Sequence, residues 1–216
     1  MTDLPLVEVA YRSIRKQLLD GELLPGAVFT ESDLAARLGM SRTPVRSAVA
    51  LLEKEGFVQT LYKRGILVKG IDVKDLYDIF DLLFALYSHA LDSIDEFGYE
   101  LDLAKARGHL DELIAASEDK RYRDYYENGF LFMFTLLEAV RNRYMTDIFR
   151  LHKDKLLFFV VTYRLMEGGN RPYTGRRLYE AIYEKLREGK YQEAKEAIFK
   201  QKRMMREDML RHGYST

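Results

Sequence analysis

The sequence contains no cysteine, and this absence removes several kinds of chemistry. Disulfide bridges, thiolate zinc sites and cysteine nucleophiles are excluded, because each of them needs a thiol. Long apolar runs are missing as well: the longest one near the end of the chain, Leu156–Val161, is far shorter than the ~20 residues that cross a bilayer as a helix. We therefore expect neither a membrane-spanning segment nor a membrane partner.

The first residues lack the basic and then apolar pattern of a secretory signal, since Asp3 and Glu8 lie among them. Together with the missing cysteine, this favours a cytoplasmic protein. A net charge is missing too, because 34 Lys and Arg balance 34 Asp and Glu. Residues 1–70 carry ten basic and eight acidic side chains, so affinity for a polyanion must come from the local placement of charge.

What the chain does contain is enough apolar material for two modest cores, with 47% hydrophobic residues among 216. The most informative stretch is Glu31–Arg46, whose apolar spacing predicts two short helices joined by a tight turn at Gly39. Ser41 is predicted to cap the second helix with its hydroxyl. Pro44 then lies in the first turn, where its missing N–H costs nothing.

Basic and polar side chains stand at the beginning of that second helix. Arg42, Thr43 and Arg46 project from one end of it, which is typical of a recognition helix that aims donors at base edges and phosphates in the major groove. For this pair of helices alone, an ordinary helical hairpin with a solvated basic end stays open as an alternative.

The flanking patterns favour the recognition helix. A helix is predicted over 7–19, a short strand over 28–30, a continuation of the second helix to Gly56, and β runs over 57–61 and 66–69. The segment YKRG at 62–65 joins these two runs, and Gly65 can adopt a positive φ there. This order predicts a winged helix-turn-helix whose wing tip offers Lys63 and Arg64 to phosphates or a minor groove.

The first 70 residues closely resemble the GntR family of bacterial transcription regulators. The matching segments are LLDGELLPG at Leu18–Gly26, LAARLGMSRTPVRSAVALLEKEGFV at Leu34–Val58 and RGILV at Arg64–Val68. The resemblance implies a homodimer that binds a near-palindromic, double-stranded DNA operator, although Ser32 stands where the family often has Arg. The predicted DNA contacts are Ser41, Arg42, Thr43, Arg46, Lys63, Arg64 and Gly65.

Residues 71–216 show helical periodicity without strand alternation, so we predict a second, all-helical domain after a winged helix-turn-helix in 1–70. Helices are expected over 73–96, 100–117, 121–140, 142–166, 175–188 and 190–212. This part is similar to the FadR subfamily with its FCD-type effector domain, which implies effector binding and dimerisation here. The expected fold class is mainly α.

The same resemblance implies a divalent metal held by one Asp and three His in the helical bundle. The corresponding positions in this chain are Gly129, Met133, Tyr179 and Gln201. Gln201 alone could offer a neutral oxygen to a hard cation. We therefore expect no bound metal and no cofactor.

The metal-binding and polar positions of the family have become apolar or aromatic in this chain, and Phe80 and Phe84 stand where Arg and Glu are usual. We expect a pocket for an apolar or aromatic small-molecule effector with few polar groups. The alternative is a core in which the same side chains fill that space. Arg164 could meet an acidic group of the ligand or pair with a carboxylate. The predicted effector residues are Phe80, Phe84, Tyr87, Met133, Tyr179, Gln201 and Arg164.

These patterns predict a sequence-specific DNA-binding repressor that a small-molecule effector controls. A DNA-binding regulator whose helical domain binds nothing is the first alternative. An enzyme is a remote one, because carboxylate pairs such as Glu184 and Glu188 have Lys and Arg neighbours at helical spacing, as on a solvated face. The sequence contains neither a phosphate-cradling glycine loop nor a nucleophile motif.

Overall fold

The computed structural model describes residues 4–166, 173 and 175–211, without the side chains of 205 and 208–211. These residues form two compact units. The first consists of 4–71 and 157–166, and the second of 72–156, 173 and 175–211. The predicted fold class, mainly α with a winged helix-turn-helix before a helical bundle, is confirmed.

The first unit has the predicted order of elements: α1 (Leu6–Leu19), β1 (Val28–Phe29), α2 (Glu31–Leu38), α3 (Arg42–Lys54), β2 (Val58–Leu61) and β3 (Gly65–Val68). Its strands form an antiparallel sheet in the order β1-β3-β2. Helix α1 packs against α3, and Ile14, Leu18 and Leu52 are fully buried. Burial of each such side chain stabilises the unit by about 1.5–3 kcal/mol.

Local sequence explains the turn between α2 and α3. Thr30 and Asp33 form a capping box, in which Asp33 N donates to Thr30 Oγ1 at 3.1 Å and Thr30 N donates to Asp33 Oδ2 at 2.9 Å. Gly39 ends α2 with a left-handed φ of 62°, as the predicted turn requires. Ser41 is the N-cap of α3, but its hydroxyl makes no capping hydrogen bond. That detail of the prediction is wrong, because Ser41 is exposed and water can satisfy the first amides instead.

The hairpin between β2 and β3 forms the wing. Leu61 pairs with Gly65, so the three residues between them make the tip, and Lys63 among them has a φ of 56°. Gly65 has a φ of 104°, and a Cβ at this position would lie 2.7 Å from the backbone oxygen of Phe29. Glycine is required because the neighbouring strand β1 passes directly beside it.

The described part of the second unit is helical. The helices are α4 (Val73–Phe97), α5 (Leu103–Glu118), α6 (Tyr122–Ala139), α7 (Arg143–Met166), α8 (Gly175–Arg187) and α9 (Tyr191–Arg211). Of these, α7 begins in the second unit and ends in the first. Helix α5 packs against α6 and α8, and α4 packs against α6 and α9. The segment 170–172, predicted as the loop before α8, lies outside the described residues. None of the described helices is both long and apolar enough to cross a membrane.

The last residues of α7 belong to the first unit rather than to the bundle. Phe158 meets Phe57 edge to face, with ring centroids 5.6 Å apart. The end of the Leu165 side chain lies beside Gly21, where it would have to shift to admit a Cβ. The division of the chain at residue 70 stays a prediction, because helical periodicity indicates which face of a helix is apolar but not which partner covers it.

Candidate nucleic-acid interface and candidate effector pocket

The beginning of α3 presents the predicted DNA contacts to solvent. Ser41 and Thr43 are exposed, and the side chains of Arg42 and Arg46 are 61% and 67% exposed. The buried residues of α3 lie on its other face and anchor the helix in the unit. The basic end of α3 is therefore rigidly supported and open to a partner.

An acidic residue joins the two arginines, and the sequence pattern did not reveal it. Glu31, the first residue of α2, accepts hydrogen bonds from Nε and Nη2 of Arg46 at 2.8 Å each, and from Nη2 of Arg42 at 3.3 Å. The hydrogen bond from Arg46 holds the pKa of Glu31 below its ordinary range, so the carboxylate is ionised at neutral pH. The sequence contained one signal for this contact: an acidic residue begins α2, and basic residues lie at the beginning of α3.

The wing tip presents the remaining predicted contacts. Lys63 and Arg64 are exposed, Gly65 lets the hairpin turn, and Nζ of Lys63 lies 5.2 Å from the centre of the Tyr62 ring. Tyr62 is itself 84% exposed. Sequence reasoning did not include it among the contacts, although an aromatic residue between the two β runs was visible. The tip thus combines two positive charges with an aromatic ring.

A carboxylate fixes the wing relative to α3. Glu53, near the end of α3, accepts hydrogen bonds from the backbone N of Thr60 at 2.6 Å and from its Oγ1 at 3.0 Å. Such charge-assisted bonds are stronger than those between neutral groups. The unit therefore holds a basic helix end and a basic hairpin in a defined arrangement, which is what a major groove and the neighbouring phosphates require.

In the second unit, predicted effector residues form a row of aromatic rings. Phe80, Phe84 and Tyr87 follow one another along α4, with successive ring centroids 6.3 and 6.4 Å apart. Tyr87 and Tyr179 of α8 lie close enough to interact electrostatically. Burial, foremost among the causes, raises the pKa of both phenols. Both hydroxyls therefore stay neutral and can donate hydrogen bonds.

The residues at the family's metal position do not fit a divalent metal. A Cβ on Gly129 would lie 2.7 Å from Oη of Tyr179, so the phenol occupies the space beside Gly129. A phenol that stays protonated is a poor ligand for such a cation. Within residues 4–166, 173 and 175–211, no group of three His, Asp or Glu side chains could hold a metal ion.

The other predicted effector residues are distributed over both units. Met133 is buried on α6, and Gln201 is half-buried on α9. Arg164 is 2% exposed and belongs to the first unit, whereas the other six predicted residues belong to the second. The aromatic row is the part of the predicted pocket that the structure brings together.

Two family models match the chain. Residues 6–68 match the bacterial regulatory proteins of the gntR family, and residues 78–201 match the FCD domain. The first match coincides with the winged helix-turn-helix, and the second with most of the helical bundle.

Curated relatives agree with these matches. YdhC of Bacillus subtilis, an uncharacterized HTH-type transcriptional regulator, is 25% identical over 194 residues, which cover 87% of this chain and 84% of YdhC. The gluconate operon transcriptional repressor of Bacillus subtilis is 27% identical over 158 residues, which cover 72% of this chain and 63% of the repressor. The chain spans less than half the length of two further relatives, 43% of one and 47% of the other.

A solved structure shares the fold. McbR/YncC of E. coli superposes with a TM-score of 0.72 at 21% identity, over 99% of this chain and 100% of that one. The FCD match alone covers more than half of the chain. The chain therefore belongs to the GntR family of bacterial regulatory proteins and is a DNA-binding transcriptional regulator with an FCD domain.

Proposed function

We propose that the protein is a homodimeric repressor that binds a near-palindromic operator. The first unit of each protomer binds one half-site. Helix α3 enters the major groove, where Arg42 and Arg46 contact bases or phosphates and Ser41 and Thr43 contact the backbone. The exposure of both arginines at the beginning of an anchored helix carries this proposal. Repression is supported by the gluconate operon repressors among the relatives. A role on bacterial DNA supports a cytoplasmic location.

Two half-sites compensate for the modest charge of one unit. In each protomer, the beginning of α3 and the wing tip together bring four basic side chains to the DNA. Glu31 partly neutralises two of them. Phosphate contacts release counterions, so affinity falls as salt rises. A dimer adds the contributions of both half-sites, and their spacing follows the helical repeat of DNA.

Arg46→Ala tests the role of α3 in DNA recognition. Wild-type protein selects a preferred duplex from a random-sequence library, and the affinity of each variant for that duplex is measured by fluorescence polarisation. Loss of a bidentate guanine contact is expected to cost about 1–3 kcal/mol. Arg12→Ala is the matched control, because Arg12 is 63% exposed and pairs with Glu8 on α1. Wild-type affinity in Arg46→Ala would refute the assignment of Arg46.

We further propose that the second unit binds an apolar or aromatic effector along Phe80, Phe84 and Tyr87, with Tyr179 as a hydrogen-bond donor. Protonated phenols suit a neutral oxygen or a carboxylate of the ligand. Bound effector alters DNA affinity by stabilising one arrangement of the DNA-binding units over another. Met133 and Gln201 contribute from α6 and α9.

The alternative, a regulator with a filled helical domain, rests on the phenol of Tyr179 beside Gly129. Thermal-shift measurements with phenol, indole and salicylate on the wild type and on Tyr179→Ala separate the two. For an effector pocket, a probe stabilises the wild type, and Tyr87→Phe weakens that stabilisation. For a filled domain, no probe affects the wild type, while Tyr179→Ala gains binding because the truncation opens a cavity.

A further inference from the structure

Glu31 binds the guanidinium of Arg46 along one of its edges. Nε and Nη2 donate to the two carboxylate oxygens of Glu31 at 2.8 Å each, which uses two of the five N–H donors that an arginine has. One N–H of Nη1 and one of Nη2 form the end edge of the fork, and Glu31 does not use them. This end edge matches O6 and N7 of a guanine in the major groove.

Glu31 is itself held in place. The capping box of Thr30 and Asp33 fixes the first turn of α2, in which Glu31 lies. The side chain of Glu31 is 21% exposed, against 67% for that of Arg46. The carboxylate therefore extends from a fixed backbone turn and is less exposed than the guanidinium that it binds.

We infer that Glu31 is a positioning residue for base recognition, which holds the side edge of Arg46 so that its end edge faces a guanine of the operator. This inference rests on the proposed function, in which Arg46 contacts a base. Pre-ordering reduces the rotamer freedom that Arg46 loses when DNA binds. The longer contact of Arg42 with Glu31, 3.3 Å, leaves Arg42 less constrained and able to follow a phosphate.

The negative charge of Glu31 also gives it a role in discrimination. On the correct sequence, the guanine contact outweighs the repulsion between Glu31 and the DNA phosphates. On other sequences the repulsion remains without that contact, so Glu31 weakens binding to incorrect DNA. Removal of the charge should thus have opposite effects on the two kinds of DNA, which simple destabilisation of the fold would not produce.

The test uses the full chain and the duplex that the wild type selects from a random library. Affinities are measured for this duplex, for a scrambled duplex and for copies in which 7-deazaguanine, which lacks N7, replaces each guanine in turn. The variants are Glu31→Gln, Glu31→Asp, Arg46→Ala and the double variant of Glu31→Gln with Arg46→Ala. Glu22→Gln is the matched control, because Glu22 is an exposed acid of the same unit.

In Glu31→Gln, the ratio of specific to scrambled affinity is expected to fall about fivefold or more, the lower end of what one bidentate contact contributes. Scrambled DNA should bind more tightly to this variant. Glu31→Asp keeps the charge but shortens the reach, so the ratio falls without tighter scrambled binding. The loss should concentrate at one guanine of each half-site and disappear in the Arg46→Ala background. Glu22→Gln should keep the wild-type ratio.

Two results would overturn the inference while leaving the proposed function intact. If Arg46→Ala loses specificity but Glu31→Gln keeps it, Arg46 needs no positioning. If Glu31→Gln still lowers specificity in the Arg46→Ala background, Glu31 contacts a base itself. A third result, wild-type affinity and specificity in Arg46→Ala, would refute the proposed base contact and the inference together.

Discussion

Gly65 is the position in the wing where one added methyl group should lower the stability of the first unit most. Its φ is 104°, and a Cβ would lie 2.7 Å from the backbone oxygen of Phe29 and 3.2 Å from Cγ1 of Val28. The oxygen cannot rotate away as a flexible side chain would, because Phe29 pairs with Ile66 in the sheet. Gly65→Ala must therefore displace β1 or distort the hairpin.

The size of the effect follows from two terms. An L-residue in such a backbone conformation costs about 1–3 kcal/mol, and forcing extra volume into a packed site costs about 1–3 kcal/mol. Together they amount to roughly 2–6 kcal/mol, a large fraction of the ~5–15 kcal/mol that stabilises a typical domain. Gly39→Ala is the matched control: its φ is 62° and no atom lies within 4 Å of its Cβ position, so about 1–2 kcal/mol of strain is expected.

Urea titration with hydrogen exchange read out by mass spectrometry measures this difference. Peptides from residues 26–68 report on the first unit alone, which matters because the two units of the chain need not unfold together. Gly65→Ala should lower the free energy of unfolding of these peptides by at least about 1 kcal/mol more than Gly39→Ala does. Equal losses in the two variants would show that the contact with β1 is not the cause.

Two further predictions concern the second unit. Burial, and then the positive charge of Lys155, lower the pKa of His152 below 6.5, so the unfolded chain binds more protons between the lowered pKa and 6.5. Stability should fall as pH drops through that window, and His152→Gln should flatten the profile of unfolding free energy against pH; an unchanged slope would contradict the assignment. Phe132 is fully buried against Tyr179, so Phe132→Ala should cost about 3–5 kcal/mol in urea unfolding. Leu82→Ala, at a position 40% exposed, should cost far less, and similar losses would argue against a packed core at Phe132.

Much of the fold was predictable because its signals are local. The turn at Gly39 needs a left-handed residue, and the wing needs glycine where β2 meets β3, so residue type and position agree in both places. The helices of the bundle follow from apolar periodicity, and their predicted bounds lie close to the observed ones. The capping hydroxyl of Ser41 was mispredicted because a good N-cap residue can leave the first amides to water.

For the candidate sites, the sequence predicted the position of single residues within their own helices but not their partners on other helices. Arg42 and Arg46 could be placed at a helix start from sequence spacing, but their shared partner Glu31 lies on another helix and depends on how α2 crosses α3. Periodicity likewise places Arg164 on the apolar helix α7, yet it does not show that this end of α7 packs with the first unit.

The balanced charge of the chain follows from the same local arrangement. A strongly basic surface would increase affinity for all DNA alike, because phosphate contacts carry no sequence information. Here an acidic residue stands beside the two arginines of α3, and acidic side chains equal basic ones over the whole sequence. Such a chain gains little from phosphates alone. In the proposed function, its selectivity comes from oriented donors such as those of Arg46. The absence of net charge is therefore compatible with a regulator that discriminates between sequences, provided that its few arginines are held in place.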